Sequence, residues 1–336
     1  MSRASLAAAP FLLAAAGAGA AERATFWLPR QSSNLAAGVD RNWAIVFWIS
    51  AFFLALVTLV MLAFVVRYRA RPGHVVRPSA SHNTPLEVLW SVVPTILVAY
   101  LFWSGYEAYL DMATPPQDAY EVRVTGQKWN WLFTYPNGYV DSDLHVEVDR
   151  PTVLLMTSPD VIHSFYVPEF RVKRDVVPGR YSKLWFTALA PGEHDVFCAE
   201  YCGKDHSAML AKVRVHPRGE FDRWLDEASD FLSRMPPAEA GQLLYAVRGC
   251  KQCHSVDGGA GTGPTFLGLY GSQERLASGD TVEVDESYVR ESLLMPLARV
   301  TAGYDPVMPT YQGRLREEEI AAIIEYLKTL AHEEQR

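Results

Sequence analysis

Cysteine is nearly missing from this 336-residue chain: there are four, and none in the first 197 residues. That excludes a disulfide framework spread along the fold. The four fall in two close pairs, at 198/202 and 250/253, with histidine nearby, a pattern that suggests metal or haem. A surplus of positive charge is also missing. The formal net charge is −7, which argues against nucleic acid as a partner, because phosphate binding needs a basic face. Charge of either sign is absent from Trp43 to Val66, a run of 24 residues, and again from Val88 to Tyr106. Acid is absent from residues 67–86 between these runs, which carry Arg67, Arg69, Arg71 and Arg77.

The first run exceeds the roughly 20 residues a helix needs to cross a hydrocarbon core. The second contains Pro94, which membrane helices tolerate better than soluble ones. Two helices are expected, over about 42–66 and 86–108. The arginine loop places their connection on the cytoplasmic side, so both ends of the hairpin face outward. Trp43, Trp48, Tyr100, Trp103 and Tyr106 suit the interfacial belts. Residues 1–20 read as a secretory signal: Arg3, the apolar stretch Leu6 to Ala16, then Ala18-Gly19-Ala20 as a small-residue cleavage site. The protein is therefore expected in a bacterial inner membrane, with everything beyond the hairpin on the outer side. A buried hairpin in a soluble protein is the bland alternative.

After Asp111 the texture changes. Short alternating stretches at 121–125, 131–135, 144–148, 152–157, 181–187, 193–198 and 210–215 are separated by turn signals such as Pro136-Asn137-Gly138. Strands at this spacing predict a β-sandwich or barrel over residues 112–232, closed by a helix over 219–232. Residues 233–238, with Met235-Pro236-Pro237, read as a linker. Residues 239–336 then read as helical, with segments at 240–247, 285–295 and 317–330. The last repeats Ile320, Ile323, Ile324 and Leu327 at helical spacing. Residues 257–272 are glycine-rich and include Pro264, hence loop.

Cys250-Lys-Gln-Cys253-His254 is the attachment signature of a c-type haem. Both thiols add to the vinyl groups, and His254 is positioned as an axial iron ligand. A thioredoxin-like redox pair wants a βαβ context that is absent, and a zinc site wants another ligand pair. Methionine is a usual second axial ligand, and Met295 and Met308 are both available. Met295 ends a helix beside Leu293 and Leu294 and reads as core. Met308 sits in a loop that can reach the iron, so it is the favoured ligand.

The second cluster is Cys198-Ala-Glu-Tyr-Cys202-Gly-Lys-Asp-His206-Ser-Ala-Met209, with His163 upstream. Thiolate and thioether ligands with imidazole select copper over hard ions. Two thiolates allow two coppers to be bridged, each with one histidine. A Cys198–Cys202 disulfide leaves Met209 and both histidines unexplained, and zinc leaves Met209 unexplained.

These motifs resemble subunit II of the haem–copper cytochrome c oxidases, in the form with a cytochrome c domain fused at its C-terminus. The resemblance covers nearly the whole chain. It implies a multidomain fold: a two-helix transmembrane hairpin within 21–111, a cupredoxin-like Greek-key β-sandwich at 112–232 and an all-α cytochrome c domain at 239–336. It implies a binuclear CuA centre of two copper ions. Cys198 and Cys202 bridge them, His163 and His206 cap them, and Met209 and the Glu200 carbonyl are weak ligands. The Glu200 side chain reaches a magnesium ion at the boundary with subunit I. Trp129, in Gly126-Gln-Lys-Trp129-Asn-Trp131, is the electron-entry position, while Trp131 reads better as sandwich core. Glu87 is the proton-channel mouth, or else a helix cap. Subunits I and III, a cytochrome c donor and membrane lipid are the implied partners, and the activity is that of an oxidase subunit. Residues 240–336 carry nine Lys/Arg against fourteen Asp/Glu, a formal −5 that suits a basic donor. Two other classes stand beside this reading: an anchored copper and haem carrier for another terminal reductase, and a copper-handling protein.

Overall fold

The structure is a computed structural model that describes residues 24–73 and 80–331. The expected signal segment, Arg77 and the chain end lie outside the described residues. Helices α1 (Ala36–Arg67) and α2 (Thr84–Ala113) extend the two apolar runs at both ends. At 1.5 Å per residue they measure roughly 48 and 45 Å, against roughly 30 Å of hydrocarbon. Their apolar side chains, such as Leu54 and Phe102, point away from the protein. The two helices meet through polar groups: the Ser104 hydroxyl donates to Asn42 Oδ1 at 2.6 Å, and Asn42 Nδ2 donates to the Ser104 carbonyl at 3.4 Å. Such pairs hold membrane helices together where no hydrophobic driving force acts between them. The hairpin is tied to the sandwich above it. Arg171 makes a two-pronged ion pair with Asp40 at 2.7 and 2.9 Å, and Trp185 Nε1 donates to the Asp111 carbonyl at 2.9 Å.

The sandwich has ten strands: β1 (Tyr120–Gln127), β2 (Asn130–Thr134), β3 (Val140–Asp141), β4 (Leu144–Glu147), β5 (Thr152–Thr157), β6 (His163–Val167), β7 (Val172–Val176), β8 (Ser182–Phe186), β9 (Gly192–Cys198) and β10 (Leu210–His216). They form two five-stranded sheets, ordered β3-β2-β1-β5-β8 and β4-β10-β9-β6-β7. Inward residues alternate along them, so Val122, Val124, Trp131, Phe133, Leu154, Phe165, Val196 and Val213 fill the space between the sheets. Trp131 is fully buried, as expected of a core tryptophan. The opposite face of β1 and β2 carries Thr125, Gln127, Asn130 and Leu132 as cross-strand pairs. That face is covered by the C-terminal region.

The C-terminal region follows α3 (Phe221–Ser229) and α4 (Phe231–Arg234). It contains α5 (Pro237–Val247), α6 (Glu286–Leu294) and α7 (Glu317–Thr329), plus a small hairpin of β11 (Gln273–Arg275) and β12 (Thr281–Glu283) that the sequence pattern did not announce. Ala240 and Leu244 of α5 pack on the buried isoleucines of α7. Gly241 permits the closeness: a Cβ there would lie 2.0 Å from the Ala322 carbonyl oxygen. The region is docked on the sandwich through Arg314 Nη1 to Gln127 Oε1 (2.5 Å), Ser142 Oγ to the Ala246 carbonyl (3.3 Å), and Thr262 to Asp205.

Candidate functional site

The thiol cluster sits at one end of the sandwich, where three strands converge. His163 opens β6, Cys198 closes β9, and the loop between β9 and β10 delivers Cys202, His206 and Met209. The register of β6 against β9 sets Phe165 opposite Cys198, which brings His163 to the same end. The two sulfurs are 3.8 Å apart. His163 Nδ1 lies 3.9 Å from Cys198 Sγ, and His206 Nδ1 lies 3.5 Å from Cys202 Sγ. Met209 Sδ is 3.9 Å from Cys202 Sγ, and the Glu200 carbonyl oxygen is 3.3 Å from Cys198 Sγ. Each sulfur therefore has its own imidazole. His163, Cys198 and Cys202 are all buried, and their donor atoms lie within 4.8 Å of one another.

Asp160, three residues before His163, accepts from His163 Nε2 at 2.9 Å. That contact fixes the ring so that Nδ1 faces the sulfurs, the arrangement by which a carboxylate orients a metal-binding histidine. Burial opposes the charge on His163, but the Asp160 hydrogen bond prevails and raises its pKa. Asp160 is drawn down to about 2, because hydrogen bonds from His163 and the Lys128 amide outweigh burial. The thiols split. Burial raises Cys198, yet its hydrogen bond with His163 holds it down at about 6. Burial and the neighbouring Cys198 charge push Cys202 up to about 12. Two adjacent thiolates repel, and a cation between them favours both. The donor set, two sulfurs with imidazole and thioether, is that of a soft metal such as copper.

The second candidate site is an apolar cleft in the C-terminal region. Cys250, Cys253, His254 and Met308 line it together, with Leu293 and Tyr311. His254 Nδ1 donates to the Pro264 carbonyl at 2.7 Å, leaving Nε2 as a lone-pair donor. Burial lowers the His254 pKa and keeps the ring neutral. Phe266 stacks on it at 4.5 Å, and the Tyr245 hydroxyl donates to its carbonyl at 2.7 Å. Burial pushes both Cys250 and Cys253 thiols up to about 11. A flat apolar macrocycle with an iron needing one nitrogen and one soft ligand fits this lining. Met295 is not core: it caps α6 with 57% of its surface exposed and lies outside the cleft, because α6 ends before its side chain can turn inward.

The remaining candidates are scattered. Trp129 is buried 6% exposed, with its indole N–H donating to the Cys202 carbonyl at 3.2 Å. Its neighbours Lys128 and Asn130 line the apolar cleft of the C-terminal region. Glu87 stands in the first turn of α2, where its carboxylate accepts from the Asn83 amide at 3.0 Å. The Glu200 side chain is exposed. Sequence reasoning gave no role to Asp160, which stands in the motif Asp160-Val-Ile-His163, nor to Asn130 or the Thr262–Asp205 contact. Only Asp160 had a signal, its position three residues before a candidate ligand.

Three family descriptions match the chain: "Cytochrome C oxidase subunit II, transmembrane domain" over residues 21–104, "Cytochrome C oxidase subunit II, periplasmic domain" over 137–215, and "Cytochrome c" over 238–331. The chain is 31% identical to the cytochrome c oxidase subunit 2 of Alkalihalophilus pseudofirmus, covering 84% of this chain and 85% of that protein. It is 33% identical to the alternative cytochrome c oxidase subunit 2 of Bradyrhizobium diazoefficiens, covering 57% of this chain and 81% of that one. Among solved structures, the periplasmic domain of subunit II of cytochrome oxidase of Bradyrhizobium japonicum is 33% identical over 35% of this chain and 98% of its own, with a TM-score of 0.33. With two membrane-length helices, a cupredoxin-like sandwich and a C-terminal cytochrome c region, this integral membrane chain belongs to the cytochrome c oxidase subunit 2 family.

Proposed function

We propose that this chain is the electron-transfer subunit of a respiratory cytochrome c oxidase, passing electrons from a covalent haem to a binuclear CuA centre and on to subunit I. One observation carries the reading: two thiols 3.8 Å apart, each with an imidazole Nδ1 at 3.9 or 3.5 Å. One copper ion needs only one thiolate in a blue-copper site. A second thiol with its own histidine suits a second copper.

In this proposal Cys198, Cys202, His163, His206, Met209 and the Glu200 carbonyl would hold the two coppers, with both thiolates shared between them. Cys250 and Cys253 would hold the haem covalently, and His254 and Met308 would supply its iron ligands. When bound, the two groups supply one-electron redox chemistry that no side chain here provides. The chain's own residues do the positioning. Asp160 orients His163, and the Pro264 carbonyl orients His254. The strands around the copper ligands hold them in one geometry, which limits rearrangement on electron transfer. Trp129 touches the copper loop from below while its neighbours wall the haem cleft. That placement suits internal transfer from the fused haem, with a basic cytochrome c docking on the acidic haem domain.

The hairpin sits in a bacterial inner membrane with both sites on the outer face. Glu87 then lies at the cytoplasmic end of α2, at a proton-channel mouth shared with subunit I, although its contact with the Asn83 amide equally suits a helix cap. The exposed Glu200 carboxylate is free to reach magnesium at the subunit I boundary. Oxygen reduction to water and proton translocation belong to subunit I, and subunit III completes the complex.

The test is an electron paramagnetic resonance spectrum of the copper-loaded, haem-attached chain. The expected signal has more hyperfine lines than one copper nucleus produces. A single-copper signal from folded, copper-loaded protein rejects the CuA assignment and reopens the anchored copper and haem carrier for another terminal reductase.

A further inference from the structure

Where the C-terminal region covers the outer face of β1 to β3, the two do not close completely. A cavity of about 200 Å³ remains, lined by Thr125, Leu132, Thr134 and Val140 from the sheet and by Arg248, Tyr311 and Arg314 from above. Its polar lining is rich in hydrogen-bond donors and holds two guanidinium groups and no carboxylate. Arg248 is 6% exposed, and its Nε has no hydrogen-bond partner among the described residues. Its Nη2 meets the buried Glu319 carboxylate, which the solvent-exposed Arg316 side chain also approaches at 3.6 Å. Arg314 meets only the neutral amide oxygen of Gln127, which is itself 1% exposed with its Nε2 unpartnered.

The buried Arg248–Glu319 pair is balanced in charge, whereas the half-buried Arg314 guanidinium on the same cavity has no carboxylate partner among the described residues. A buried guanidinium with an unused donor is stable only when an acceptor completes it. Water can satisfy a hydrogen bond but not the charge. A small anion satisfies both, and the cavity is large enough for one halide with ordered water.

We propose that this interdomain cavity is a binding site for a small monovalent inorganic anion, held between Arg248 and Arg314, which fastens the haem-domain region onto the sandwich. The site is separate from the thiol cluster and from the haem cleft, and it stands whether or not the electron-transfer reading does. Both guanidinium partners belong to the C-terminal region, and the sandwich closes the cavity from the other side with Thr125, Leu132, Thr134 and Val140, so the enclosed site exists only in the docked arrangement. Mass action then couples the anion to docking: at a hundred times the dissociation constant, opening of the seam falls roughly 100-fold.

The experiment compares the full chain in detergent in chloride and in gluconate of equal ionic strength, gluconate being too bulky to enter. Hydrogen exchange is followed in peptides covering 121–134 and 311–316. Chloride is expected to slow exchange in both, saturably. R314Q should abolish the chloride response, while Q127L, which removes the Arg314 contact but keeps its charge, should retain it. Bromide should give an anomalous scattering peak between the two guanidinium groups. Exchange that is the same in chloride and gluconate, or a response that persists in R314Q, overturns the proposal and leaves a cavity holding water only.

Discussion

Gly249 offers the sharpest test of how the C-terminal region meets the sandwich. It directly precedes Cys250 and has φ +82°, a left-handed conformation. A Cβ built there would fall 2.0 Å from Asn130 Nδ2 and 3.0 Å from Asn130 Cγ, on the sheet face opposite the sandwich core. Gly249→Ala therefore meets two separate penalties. Holding an L-residue left-handed costs roughly 1–2 kcal/mol. Forcing a methyl against a buried amide requires Asn130, 4% exposed, to move by more than an ångström, a kind of overpacking that costs roughly 1–3 kcal/mol. The sum is about 2–5 kcal/mol, and it falls on the docked seam. At about 1.4 kcal/mol per factor of ten, even the lower bound is roughly a 30-fold increase in seam opening. Hydrogen exchange of peptides spanning 126–134 and 245–253 in the full chain reads this directly. The double variant Gly249→Ala, Asn130→Ala removes the clash and leaves the backbone strain. It should recover roughly 1–3 kcal/mol of the loss. A neutral Gly249→Ala, or a double variant with no recovery, refutes the close approach of Gly249 to Asn130.

Met308→Ala should abolish the low-spin, methionine-ligated spectrum of the haem-attached chain, whereas Met295→Ala, at an exposed position outside the cleft, should leave it unchanged. An unchanged spectrum for Met308→Ala sinks that ligand assignment. Asp40→Ala strands Arg171, which is nearly buried in its two-pronged pair, and removing one partner of such a pair costs roughly 3–5 kcal/mol. The loss should appear as faster exchange in residues 29–40 and 168–172, and a change no greater than for Lys173→Ala, an exposed pair, counts against it. Acid should also weaken the sandwich through His145. Burial, with His216 and Arg214 nearby, lowers its pKa to about 3. The unfolded chain takes up a proton near pH 6.5 that the folded chain refuses, so stability is full above 6.5 and falls as pH drops towards 3. Between pH 8 and pH 5 the loss is about 2 kcal/mol from this group. Thermal melts across that range measure it. His145→Phe keeps the stack on Trp224 (3.7 Å) and should flatten the slope; an unaltered slope rejects the assignment.

Much of this protein is local information. The two membrane helices follow from charge-free runs, because each helix satisfies its own backbone groups whatever surrounds it. The Cys250-to-His254 cluster and the Cys198-to-Met209 loop are legible because their ligands are neighbours in sequence. The strands with alternating burial, β1, β9 and β10, are legible for the same reason. Strands β6 and β7 are not. His163-Ser-Phe-Tyr-Val is buried on both faces, so it has no period of two, and β7 carries Lys173, Arg174 and Asp175 in its exposed middle. Met295 was misjudged as core because an apolar neighbourhood in sequence does not decide which way a helix end faces. The meeting of His163 with Cys198 depends on the β6–β9 register, across 35 residues of chain. The approach of Asn130 to Gly249, of Arg314 to Gln127, and the cation-rich cavity between them depend on how two separately formed units pack. Sequence alone determined the membrane hairpin, the Cys198-to-Met209 loop and the Cys250-to-His254 motif, because each is written in residues close together. Only the tertiary structure decided which histidine faces which sulfur and what stands between the two sites. Those are long-range contacts, set by sheet register and buried surface rather than by any local pattern.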